Sequence, residues 1–98
     1  MSQPLFLRSI AKEEIQKGYN WYEEQQAGVG RSFLREVRTT LASVERSPLL
    51  YPRIRGEVRR AVVRRFPYSI LYLAEMDRTV VIACFHGRRD PRRWHSRH

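Results

Sequence analysis

The stretch Tyr68-Ser-Ile-Leu-Tyr-Leu-Ala-Glu-Met-Asp-Arg-Thr-Val-Val-Ile-Ala-Cys-Phe-His86 decides the fold. Two apolar runs, 68–74 and 79–86, flank the polar turn Glu75-Met-Asp-Arg78, and both are rich in β-branched and aromatic residues. That composition predicts a hairpin of buried strands. Just upstream, Glu57-Val-Arg-Arg-Ala-Val-Val-Arg-Arg65 alternates with a period near two before the break at Phe66-Pro67. Val58, Arg60, Val62 and Arg64 fall on one face of this strand, and Arg59, Ala61, Val63 and Arg65 on the other. Both faces carry arginine.

Toward the N-terminus the period becomes helical. Leu5-Phe6-Leu7 suits a short first strand, and Ser9 is placed to cap a helix over 10–26. Its apolar stripe is Ala11, Ile15, Tyr19, Tyr22 and Gln26, with Glu13 and Glu14 in the first turn favouring the positive end of the helix dipole. Ala27-Gly-Val-Gly30 interrupts it. Phe33, Leu34, Val37, Leu41 and Val44 then mark a second helix that ends at Ser47-Pro48. Residues 48–56, with Pro48, Pro52 and Gly56, read as an irregular crossing loop whose Leu49, Leu50 and Tyr51 tuck toward the core. The expected order is β-α-α-β-β-β. It predicts an α+β fold of two layers, a four-stranded, mainly antiparallel sheet backed by an N-terminal helical hairpin, with the other sheet face open for a partner.

A chain of 98 residues forms one domain, 1–98, with a basic tail at 87–98 that has no apolar period and is expected to be partly mobile. Its nineteen basic side chains outnumber ten acidic ones, and seventeen of the nineteen are arginines, whose flat, forked donor set suits phosphate or carboxylate. Residues 1–52 hold seven basic and six acidic groups, net +1, whereas residues 53–98 hold twelve and four, net +8. The partner to expect is acidic. One cysteine, Cys84, excludes an internal disulfide and reads as a small core residue of a cytoplasmic protein. No window approaches the roughly 18 apolar residues of a membrane span. Metal-ligand spacings and nucleotide-binding glycine motifs are both missing from the sequence, so neither a metal nor a cofactor is expected.

The candidate binding surface is cationic: Arg59, Arg60, Arg64, Arg65, Arg88, Arg89, Arg92 and Arg93, with Tyr68 and Trp94 as aromatic contacts. Its partner is nucleic acid or an acidic protein, and a merely solvated edge is the plain alternative. His86, beside Arg88 at the end of the last strand, is a candidate for moving protons in phosphodiester cleavage, against the commoner structural role of a lone histidine. Trp21 falls off the core stripe, as an interface anchor or as part of the helix–sheet packing.

The helix phrase Tyr19-Asn-Trp-Tyr-Glu-Glu-Gln25, the strand phrase Val58-Arg-Arg-Ala-Val-Val-Arg-Arg-Phe-Pro-Tyr-Ser-Ile-Leu-Tyr72 and the ending His86-Gly-Arg-Arg-Asp-Pro-Arg-Arg-Trp94 resemble the RelE/ParE superfamily of bacterial toxins, in its ParE-like, plasmid-stabilisation branch. The resemblance spans nearly the whole chain. It implies the toxin of a type II toxin–antitoxin pair, neutralised in a hetero-oligomer by a small acidic antitoxin that wraps around it. ParE-like members poison DNA gyrase, whereas RelE-like members cut messenger RNA on the ribosome. In the RelE-like pattern an arginine follows the tyrosine that opens the third strand, and here Ser69 follows Tyr68. That pattern also ends on a tyrosine after its basic pair, where this chain has Trp94. Arg65, His86 and Arg88 would remain as a reduced catalytic set. The resemblance therefore favours gyrase binding, with an endoribonuclease as the alternative and an inactive, toxin-like interaction module as the third reading.

Overall fold

Seven elements succeed one another in the computed structural model, which describes residues 4–87. They are β1 (Leu5–Leu7), α1 (Ser9–Gln25), α2 (Val29–Arg46), β2 (Arg53–Arg55), β3 (Val58–Val62), β4 (Tyr68–Ala74) and β5 (Thr79–His86). The expected hairpin is β4–β5, and β5 is buried from Thr79 to Phe85. Such a strand needs apolar cover on both faces, which explains its near-continuous run of apolar residues. Ile70, Tyr72, Val81 and Cys84 point into the main core with Phe33, Val37 and Val44 of α2. Leu71, Val80, Ile82, Ala83 and Phe85 form a second cluster on the opposite face with Val58.

A bulge sets this division. Leu71 pairs with Ala83 and Tyr72 with Val81, so β5 holds one residue more than β4 between them. Ile82 and Ala83, neighbours in sequence, consequently join the same cluster, and the alternation resumes with Cys84 in the main core.

The sheet has five strands in the order β1-β5-β4-β3-β2, and it is mixed: β1 runs parallel to β5, and the other pairs are antiparallel. The expected count of four strands is thus corrected to five, while the pairing is mainly antiparallel as expected, with β1–β5 the exception. The extra strand, β2, lies inside the stretch that reads as irregular, and all three of its side chains are exposed. An edge strand that buries nothing leaves no apolar period to read; its pairing with β3 is a backbone affair, turned at Gly56 with φ 55°. The second sheet face, expected to be open, is largely closed. Leu71, Ile82 and Phe85 on it are 2%, 0% and 6% exposed.

The start of α1 departs from the cap expectation for a related reason. Arg8 still donates its N–H to Val81 O at 3.0 Å, continuing the β1–β5 ladder, and accepts the first helical bond from Lys12 N at 3.1 Å. The residue in the N-cap position is therefore Arg8, with no side-chain cap, and Ser9 is already helical. The fully buried line of α1 is Ala11, Glu14 and Gly18, while Ile15, Tyr19 and Tyr22 are half-buried beside it.

Between the helices, Gly28 takes the left-handed conformation, φ 93°, that a residue with Cβ rarely adopts. Gly30 lies inside α2 rather than in the linker, and serves close packing: a Cβ there would sit 2.8 Å from the backbone oxygen of Tyr19. The Glu23 carboxylate accepts the N–H groups of Gly28 and Gly30, both at 3.0 Å, and so caps α2 from the preceding helix. At the other end of α2, Tyr72 Oη donates to Pro48 O at 2.7 Å and ties the loop to the sheet; burial pushes the Tyr72 phenol up to about 12, with Arg59 opposing. Among the described residues no helix is long and apolar enough to cross a membrane.

Because the Tyr19 backbone oxygen, and not only the Glu23 carboxylate, blocks the Cβ position, Gly30→Ala is expected to destabilise the protein by about 1–3 kcal/mol despite alanine's better helix propensity. Urea denaturation, comparing midpoints at unchanged slope, measures this.

Candidate functional site

The arginines of the β3 region go to separate places. Ala61 and Val63 lie in the main core, so Arg59 shares their side of the strand. Its guanidinium turns along the strand to the loop, donating to Tyr51 O at 2.6 Å and Leu49 O at 3.3 Å. Arg60 is exposed and shares the Val58 side. Arg64 and Arg65 come after the end of β3, and Arg65 adopts φ 73°, a strained value for a side chain with Cβ. The Arg65 guanidinium is 3.8 Å from the Glu36 carboxylate of α2. Arg59 thus braces a loop, Arg65 faces α2, and Arg60 stands on the aliphatic side of the sheet. Arg88, Arg89, Arg92, Arg93 and Trp94 lie outside the described residues.

A groove of about 630 Å³ opens on the other flank, between α1 and the end of β5. It exists because β1 is short. β1 pairs with Thr79–Val81 only, and beyond Val81 the edge of β5 meets α1 instead of a strand. There the carboxylate of Glu14, 8% exposed, accepts the Cys84 backbone N–H at 3.0 Å. A helical side chain has taken the position of a ladder partner. The sequence pattern assigns Glu14 to the helix dipole; the spacing 11, 14, 18 is the available signal that it belongs to the buried line.

His86 and Tyr68 both line this groove, and their rings meet edge to face with centroids 5.1 Å apart. Tyr68, 9% exposed, also packs against Phe33 at 4.9 Å, so it is the rim of an aromatic cluster that includes Tyr22 and Phe66. Trp21 is 55% exposed, leans its ring on Tyr22 at 5.0 Å, and forms part of the groove wall with Ile10 and Lys17. Trp21 thus combines an edge contact to the aromatic cluster with a ring half open to solvent.

As chemistry, the groove offers one exposed indole, aliphatic surface, and charges of both signs from Glu13 and Lys17. No hydrogen bond, ion pair or ring contact joins Arg65 to His86 among the described residues. Nor do the described residues bring three His, Cys, Asp or Glu side chains together as metal ligands. The Cys84 thiol, 1% exposed, is pushed from 9.0 up to about 12, first by burial and then by the Glu14 carboxylate. It is a protonated core thiol at neutral pH.

The sign of the pH effect comes from that shift. The unfolded thiol ionises before the folded one, so its stabilisation is complete below pH 9.0 and is lost as pH rises toward about 12. Tyr72 adds a similar loss starting from 10.0. Between those two onsets the steepening belongs to Cys84: the stability of Cys84→Ala is expected to fall less steeply with pH there than that of the unmodified chain, in urea titrations at stepped pH. Folded protein is also expected to resist thiol reagents that label it readily in denaturant.

The strand order, helical hairpin and groove can be set beside known proteins. No curated protein matches the sequence. Among solved structures, a chain described as the chromosomal ParDE TA system from P. aeruginosa is similar in fold, with a TM-score of 0.72 at 11% identity; the match covers 87% of this chain and 96% of that one. The family model described as the ParE toxin of type II toxin-antitoxin system, parDE, matches residues 5–91, which spans both helices and all five strands. The chain therefore belongs to the ParE toxin family of type II toxin–antitoxin systems.

Proposed function

We propose that this toxin arrests growth by binding DNA gyrase, without cutting RNA, and that a cognate acidic antitoxin neutralises it in a hetero-oligomer. The observation that carries the reading is that Arg65 and His86, the two cleavage candidates among the described residues, each face a different neighbour. Phosphodiester cleavage needs a cation on the phosphate and a proton-transfer group within hydrogen-bond reach of one reacting centre. Arg65 is turned onto Glu36 of α2, whereas His86 packs on Tyr68 beside α1. The sheet face that would have to receive a transcript carries Val58, Leu71, Val80, Ile82 and Phe85. Those side chains are buried and transfer no protons.

An antitoxin is supported by the family and by charge. The net +8 of residues 53–98 attracts an acidic chain, and complementary charge speeds the encounter. The grip comes from elsewhere: the exposed Trp21 and the groove behind it accept an apolar side chain of that antitoxin, in the way aromatic anchors dominate other interfaces.

In growth and supercoiling assays, His86→Ala is expected to arrest cells and inhibit gyrase as the unmodified chain does, and transcripts are expected to stay intact with both. Loss of arrest together with transcript cutting by the unmodified chain alone would establish the endoribonuclease instead. Arrest by neither would make the chain an inactive interaction module. For the antitoxin, Trp21→Ala is expected to raise the dissociation constant roughly tenfold or more, by titration calorimetry.

A further inference from the structure

The solvent face of α2 carries Arg31, Arg35 and Arg38, at steps of four and three residues, and all three are exposed. They form one row along the helix. Each is a neighbour of another in the row, and no position three or four residues from any of them holds a carboxylate. Like charges at that spacing destabilise a helix. Arg31 also sits in the first turn, where the dipole disfavours a cation, and that turn contains no acidic residue. None of the three takes an ion pair or side-chain hydrogen bond among the described residues. The nearest carboxylate along the helix, Glu36, faces Arg65. α2 thus holds three guanidinium groups that no described carboxylate compensates, where its own stability would prefer mixed charge.

The chemistry around the row narrows the partner. Protein interfaces need buried aromatic or aliphatic anchors, and interfacial helices need an apolar face against lipid. The next exposed position along this row is Ala42, and the large exposed apolar side chains among the described residues lie on other elements or loops. Phosphates need no such anchor. From the first to the third arginine the row runs about 10 Å along the helix axis, the length over which one strand of a duplex presents about three phosphates. The amides at the start of α2 are held by Glu23, so the side chains and not the helix end would make the contact.

We infer that the Arg31–Arg35–Arg38 row is a contact surface for the phosphate backbone of nucleic acid, separate from the α1–β5 groove. It reads no sequence, because phosphates carry none. The inference is independent of the gyrase reading, since it rests on α2 alone.

The test is fluorescence anisotropy of the full chain with a labelled DNA duplex of random sequence, titrated across roughly 50 to 200 mM salt. Arg31→Gln/Arg35→Gln/Arg38→Gln is expected to bind more weakly and to flatten the slope of log affinity against log salt by about 2 to 3, the share of three phosphate contacts. Lys12→Gln/Arg53→Gln/Arg78→Gln removes the same net charge elsewhere and is expected to change the slope by less than about 1. Arg31→Lys/Arg35→Lys/Arg38→Lys keeps the charge and is expected to restore the slope. The inference is overturned if the unmodified chain does not bind the duplex, or if the two glutamine variants lose affinity and slope equally. It is also overturned if the row variant keeps DNA and loses the antitoxin, which would make the row a protein contact.

Discussion

Halfway along β5 the sheet loses its neighbour on one side, and a buried carboxylate from the helix layer closes the gap. β1 stops after pairing with Val81, α1 turns in across the exposed edge, and Glu14 accepts the Cys84 N–H. A free strand N–H in that place, beside a fully buried Cys84, would have no water to turn to. The surrounding architecture depends on this contact. It joins α1 to the end of β5, beside the groove that His86 and Tyr68 line.

The bulge at Ile82 belongs to the same arrangement. By inserting one residue between Val81 and Ala83, it resets which side chains of β5 face the helices, so that Cys84 enters the main core beneath Glu14 and Phe85 joins the opposite cluster. A strand that simply alternated would place these residues differently. Sheet and helices are in this sense fitted to one another over a few residues at the end of β5, where the groove lies.

The parts of this structure that bury a regular apolar pattern are legible in the sequence. The β4–β5 hairpin, both helices and the two-faced alternation of Val58 to Val63 announce themselves, because each buries either a continuous apolar run or side chains at a fixed period. β2 does not, since Arg53, Ile54 and Arg55 are all exposed. The parallel β1–β5 pairing is equally hidden: three residues of strand carry no signal of direction. Of the site, Trp21 and His86 stand out in the sequence and both line the groove, whereas Glu14 escapes notice because a glutamate near a helix start has an ordinary explanation. The arginines show the sharpest difference between pattern and place. Their faces on β3 come from parity, yet the reach of Arg59 to two loop carbonyls and the turn of Arg65 onto Glu36 depend on long side chains and a left-handed residue that parity cannot express.

Amide hydrogen exchange at Cys84 tests most directly whether the Glu14 carboxylate is the partner of the β5 edge. In Glu14→Ala the Cys84 amide should exchange about ten- to a hundredfold faster, matching about 1–3 kcal/mol for an unsatisfied buried donor, while Glu14→Gln, which keeps a carbonyl acceptor, should retain most of the protection. Unchanged exchange at Cys84 in Glu14→Ala would contradict that role, because the edge would then be closed by something other than this carboxylate.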